Sequence, residues 1–220
     1  MSVQTMLGLL GQGFLTTLSI FFLTLIGSLP LGLLVYFGKK SRLAPLRWVV
    51  NAYISIMRGT PLMLQRLVVY FGPNLLFGVM PPANWRFGAV ITGFIINYAA
   101  YFAEIYRGGI ESIPAGQYEA AEVLGYTRVQ TFCKIILPQM VKRVLPAVTN
   151  EVITLVKDTS LARIIALQEV IWAGQAFMKG SQGISGAIWP MFFTAVYYLI
   201  FNGILTVLLG KLERKLDYFR

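Results

Sequence analysis

The apolar positions of this chain follow neither the two-residue alternation of a half-buried strand nor the one-sided stripe of a surface helix. They run on in long, sparsely charged stretches. Five such segments stand out, at about 9–37, 49–71, 87–103, 144–165 and 187–209. A hydrocarbon core about 30 Å thick is crossed by roughly 20 helical residues rising about 1.5 Å each, so every one of the five predicts a transmembrane helix. Lipid offers the backbone no hydrogen-bond partners, and a helix satisfies its own. The expected fold is all-α and polytopic, a single membrane domain over residues 1–220 with five spans and little else. Pro30, Pro61, Pro146 and many glycines interrupt the spans, where such residues serve close packing, a kink or an unwound binding site. No internal repeat or low-complexity tract is visible.

The connecting segments give the chain a direction. Lys39, Lys40, Arg42 and Arg47 follow the first span with no acid among them, Arg107, Arg128, Lys134, Lys142 and Arg143 follow the third, and Lys211, Arg214, Lys215 and Arg220 follow the fifth. The other loops hold only Arg86, or Arg163 and Lys179. The positive-inside rule then predicts an outer N-terminus and a cytoplasmic C-terminus. The outer stretch 161–186 spaces Leu167, Ile171 and Phe177 among Gln168, Glu169 and Gln175, the pattern of a short surface helix that packs on the spans.

Composition narrows the function classes. The chain is 56% hydrophobic and 13% charged, and its mean hydropathy is +0.67, so lipid is its solvent. A net charge of +10 invites a nucleic-acid reading, yet the basic residues lie where they orient a membrane protein, and no nucleic-acid partner is expected. Histidine is absent, which removes the commonest general base and metal ligand and leaves no metal site or cofactor to expect. Cys133 is the only cysteine and reads as a small buried apolar group rather than a nucleophile. The first charged side chain is Lys39, so the basic start of a signal peptide is missing and the first apolar run reads as a retained span.

The stretch 106–139 is too long for a turn and too patterned for a linker. Glu119, Ala120, Ala121, Glu122, Val123 and Leu124 favour helix, Gly125 can take the left-handed conformation that ends one, and Pro138 limits the next segment after Ile135, Ile136 and Leu137. That predicts a helix-turn-helix with small residues on one face and Val123, Leu124, Ile135 and Leu137 on another, shaped to enter a groove on a soluble partner.

The spacing Glu119-Ala120-Ala121, Gly125, then Ile135-Ile136-Leu137-Pro138 resembles the EAA signature of the permease subunits of bacterial ATP-binding-cassette importers. Three further stretches, Arg58-Gly59-Thr60-Pro61-Leu62, 99–108 and 150–161, look like the polar amino acid branch of that family, and the likeness runs from about Thr16 onward. The resemblance implies a type I importer permease fold in a bacterial inner membrane. It implies as partners a second permease copy or close relative, two ATPase subunits and an extracytoplasmic solute-binding protein. Glu119, Ala120, Ala121, Gly125, Ile135, Leu137 and Pro138 would then form the ATPase-coupling element. Independently, no Gly-x-x-x-x-Gly-Lys-Ser/Thr stretch occurs, so any ATP hydrolysis belongs to another polypeptide and the chain itself is no enzyme.

Ionisable groups inside a span cost roughly 2.5–3.5 kcal/mol each on insertion scales, so they face a cavity or one another. Glu151 and Asp158 lie two helical turns apart on one face of the fourth span with Thr154 beside the stripe, placed either to hold an amino acid's cationic groups or to pair with Lys157 or a neighbouring span. On the second span Gln65 and Arg66 lie about midway. Arg66 offers a bidentate donor to a carboxylate, and it stands where the family pattern has an apolar residue. It reads as a substrate contact, a partner of Glu151 or a neighbour of Asp158. Arg58 is expected to organise the kink at Pro61, and Glu104 with Arg107 to form a structural pair. Asn97 offers an amide that donates and accepts towards a zwitterion, and the resemblance places a site residue here. An ion-driven carrier or channel using Glu151 and Asp158 remains the alternative, though it leaves the cytoplasmic motif unexplained.

Overall fold

The structure, a computed structural model, describes residues 3–79, 82, 84–180 and 184–216. Helix α1 (Val3–Lys39) is followed by α2 (Ala44–Gly59), α3 (Leu62–Phe77), α4 (Trp85–Glu111), α5 (Ala115–Val123), α6 (Arg128–Thr131), α7 (Leu137–Asp158), α8 (Val170–Gly180) and α9 (Ile184–Leu216). No strand occurs among the described residues. Three helical stretches, Gln4–Lys39, Trp85–Glu111 and Ile188–Leu216, are long and apolar enough to cross a membrane, and Leu62–Phe77 is a shorter apolar helix.

Helix α4 is the centre of the bundle. It buries Ala89, Val90, Gly93, Phe94, Asn97, Tyr98, Ala100 and Phe102, a face broad enough to meet α1, α2, α3 and α7 together. Small residues set how closely the backbones approach. A Cβ on Gly32 of α1 would lie 2.8 Å from Cβ of Phe102, so α1 lies against α4 only because that atom is missing. The main apolar core joins Ile20 and Phe21 of α1 to Phe94, Tyr98 and Phe102 of α4, Val152, Leu155 and Val156 of α7, and Phe201 of α9.

The segment expected as one pass at 49–71 is two helices. Thr60 (φ −119°, ψ 149°) and Pro61 (φ −61°, ψ 130°) are extended, because a residue preceding proline is driven from the helical region and proline has no N–H to continue the ladder. Pro138, by contrast, does not end its segment. The chain stays helical from Arg128 to Asp158, with one wide turn over Phe132–Ile136 that absorbs the proline. Beyond Asp158 the helix tightens over Thr159–Ile165 and stops at Ala166, whose φ is +58°. The outer helix expected within 161–186 is α8, packed on α1 and α9. Arg220 and the side chains of Phe177 and Lys179 lie outside the described residues.

Candidate functional site

Breaking a helix inside lipid exposes carbonyls that need donors. Here the donors are two amides. Gln65 Nε2 reaches Met57 O at 2.9 Å, Thr60 O at 3.1 Å and Thr60 Oγ1 at 2.9 Å, while Asn97 Nδ2 reaches Met57 O at 3.0 Å and Gln65 Oε1 at 2.9 Å. The two residues marked as solute contacts thus hold the α2–α3 break against α4. Arg58 does not organise that break. Its guanidinium lies 3.7 Å from Glu104 and over the Tyr101 ring at 5.5 Å. Glu104 also takes Lys39, and Arg107 at 2.8 Å, so the expected Glu104–Arg107 pair belongs to a larger cluster that extends through Arg107 and Lys40 to Glu111.

Directly after Gln65 on α3, the Arg66 side chain is buried at 1% exposure. Its Cζ lies 3.4 Å from the centre of the Phe94 ring, the stacked geometry in which an aromatic face attracts a cation. Its terminal nitrogens point at the main-chain oxygen of Asp158 from 3.4 and 3.5 Å, and its Nε has no partner. No ion pair within 4.0 Å forms between Arg66 and a described carboxylate; the Asp158 carboxylate instead accepts the Tyr98 hydroxyl at 2.8 Å. Glu151 lies within electrostatic reach of Asp158, Tyr98 and Arg58. It and Thr154 are half-buried with no hydrogen bond among the described residues, and Lys157 is exposed and pairs with neither acid. The structure therefore brings Arg66, Asp158 and Glu151 together around Tyr98, while the neighbouring Gln65 and Asn97 turn to the α2–α3 break. Tyr98 is the member that sequence reasoning passed over, although a hydroxyl in an apolar span needs a partner.

At the opposite end of α7 lies the helix pair. Gly125 (φ +74°) closes α5, with Gly125 N bonded to Glu122 O at 2.9 Å and Tyr126 N to Ala121 O at 3.0 Å, a glycine-capped end that satisfies these two carbonyls. Thr127 and Gln130 cap α6 reciprocally. Val123 (88% exposed) and Leu124 (72%) form a bare apolar tip with Val129, and Glu119, Ala120 and Pro138 are exposed beside it. Ala121 is buried, and Ile135 and Leu137 do not join the tip. They pack under it against Ile113, Ile136, Met140 and Val144. Gln139 to Gln117 (3.0 Å) fastens α5 to the base of α7, and Arg143 to Ser112 O (2.5 Å) ties that base to the end of α4.

The chain belongs to the family of binding-protein-dependent transport system inner membrane components, whose model matches residues 28–218. It is 35% identical over 205 residues to the arginine transport system permease protein ArtQ of Bacillus subtilis, covering 93% of this chain and 91% of that one. It is 35% identical over 212 residues to the glutamine transport system permease protein GlnP of Escherichia coli K12 (94% and 93%). A solved structure described as an amino acid ABC transporter with histidines superposes with a TM-score of 0.86 at 30% identity over 98% of this chain and 99% of that one. The MetNI methionine ABC transporter in an inward-facing form shares the fold, with a TM-score of 0.71 at 19% identity over 99% and 100%. The chain is thus a membrane-embedded permease subunit of an ABC transporter, which works with ATPase and permease partners and leaves ATP hydrolysis to a separate chain.

Proposed function

We propose that the chain forms the path for a polar amino acid in an ATP-driven importer, crossing the inner membrane five times with its N-terminus outside and its C-terminus in the cytoplasm. Two such permeases, or this one and a close relative, sit on two ATPase subunits and receive the solute from an extracytoplasmic binding protein. The relatives named for arginine and glutamine transport support the substrate class. The observation that carries the reading is the continuity of α7. Its base is bolted to the bare tip at Val123 and Leu124, and its far end carries Glu151 and Asp158. An ATPase pair that closes against Glu119 to Pro138 moves α7 as a lever and alternates access to the acids.

The test is uptake by vesicles holding the chain with its ATPase and binding protein, comparing the parent with Glu119→Lys. Glu119 is exposed, so the substitution leaves the fold intact. Uptake that needs ATP and falls at least about tenfold in the variant, with the complex still inserted, supports the coupling assignment. Uptake that ignores ATP and follows an ion gradient overturns it in favour of a secondary carrier.

A further inference from the structure

Basic side chains at the end of the bundle that carries α5, the start of α7 and the end of α9 fall into two groups. Lys39, Lys40 and Arg107 are matched by Glu104 and Glu111. The second group converges on a cavity of about 950 Å³ between α5, the wide turn, α7 and α9. Lys134, Lys142, Arg143 and Arg214 line it, and Glu213 is the one acid among the described lining residues. We infer that this cavity binds the phosphate headgroup of an anionic phospholipid from the leaflet at this end of the bundle. Which leaflet that is follows from the sidedness proposed above, and the binding itself does not depend on the transport reading.

The positive charge is available to a ligand. One Glu213 oxygen takes the Thr149 hydroxyl at 2.6 Å, which ties that acid to α7. Lys134, Arg143 and Arg214 are exposed and enter none of the described ion pairs. Arg143 donates to Ser112 O, and Lys134 lies over the Tyr126 ring at 5.6 Å, contacts that position both side chains and leave their charges unneutralised. Basic residues that serve only to orient a membrane protein have no reason to share a cavity. These are brought to one from three elements far apart in the sequence. Guanidinium forks and ammonium donors on one wall suit a phosphate, whose oxygens accept charge-assisted bonds from both.

The surroundings favour a lipid over a soluble phosphate. Ile135, Leu145 and Leu216 give the cavity an apolar lining beside the charges. On α9 the exposed apolar residues Leu199, Ile204, Val207 and Leu208 come just before the basic run, and Arg214 follows Leu208 by about 9 Å along the helix. That step takes the chain from acyl chains to headgroups, which occupy about 5–8 Å beyond the hydrocarbon on each side. A basic pocket between helices at this depth is suited to an anionic headgroup. Bound there, the phosphate joins the base of α7 to the end of α9.

The experiment is native mass spectrometry of the full chain assembled with its ATPase subunits, titrated with phosphatidylglycerol, with phosphatidylcholine of the same acyl chains, and with glycerol phosphate. Phosphatidylglycerol should bind at least about tenfold more tightly than phosphatidylcholine. The double variant Lys134→Gln with Arg214→Gln, at two exposed positions that leave the fold intact, should weaken phosphatidylglycerol by at least about tenfold and leave phosphatidylcholine unchanged. Arg42→Gln with Arg47→Gln removes the same charge from exposed positions outside the cavity and should keep the preference. A preference that survives loss of Lys134 and Arg214, or that falls equally in both double variants, overturns the cavity as the site. Glycerol phosphate that displaces phosphatidylglycerol at equal concentration overturns the lipid and assigns a soluble phosphate. A cavity variant that sheds its ATPase subunits while lipid binding holds makes the basic wall an ATPase seat, and the inference fails.

Discussion

Glu169 shows what a single carboxylate does when no water reaches it. It is fully buried at the start of α8, where its two oxygens accept the Ile171 and Trp172 backbone N–H groups at 2.8 Å each. Burial pushes its carboxyl from an ordinary 4.5 up to about 7, against the opposing pull of those two donors, the Arg163 charge and the Tyr198 hydroxyl. A folded pKa above the unfolded one means that the native chain holds a proton that the unfolded chain has released. Its stabilising contribution is complete below about 4.5 and is lost as pH rises through about 7. Thermal unfolding of the detergent-solubilised chain should therefore give a lower midpoint at pH 8 than at pH 6, and Glu169→Gln should flatten that difference. Parallel profiles for parent and variant would assign the pH dependence elsewhere. The sequence shows Glu169 only as a polar residue in an amphipathic pattern; its burial follows from α8 folding back on α1 and α9, which no local spacing encodes.

Helix breaks are where local rules and tertiary context divide the work. The stop at Thr60 and Pro61 is legible because proline acts on its own neighbour, whereas the use of Gln65 and Asn97 as donors to the freed carbonyls depends on α4 lying beside both helices. Both amides read from the sequence as solute contacts, Asn97 through the resemblance as well; the partners they have within the chain are what only the structure supplies. Likewise Ile135 and Leu137 fit an exposed face until the wide turn at Phe132–Ile136 shifts the register and packs them inward. Gln65→Leu should leave Met57 O to Asn97 alone, remove the donor to Thr60 O and remove the Gln65 acceptor of Asn97, at a cost of about 1–3 kcal/mol for each group left buried and unpaired. Chemical unfolding in detergent measures it, with Gln139→Leu as the control that breaks an exposed amide pair. A leucine variant as stable as that control would mean that the break is held by packing alone.

Across the whole molecule the charge distribution and the apolar lengths make one joint statement, which the chain itself supplies the means to check. The basic excess lies at the end of the bundle that carries α5, α6, the start of α7 and the end of α9, and the positive-inside rule assigns that end to the cytoplasm. Cys133, the only cysteine, is exposed at this end rather than buried as its apolar character suggests, because it lies on the outer side of the wide turn that follows α6. No engineered reporter is needed to read the orientation, since a single native thiol marks one face. A membrane-impermeant maleimide should label inside-out vesicles stripped of peripheral subunits at least about tenfold more than intact spheroplasts, with Cys133→Ser as the blank; here the thiol serves only as a label of position, and its accessibility to a bulky reagent follows from exposure. The reverse pattern would invert the topology, put the Val123 and Leu124 tip outside, and remove it from reach of any ATPase. Sidedness therefore decides whether the lever built into α7 has anything to push against.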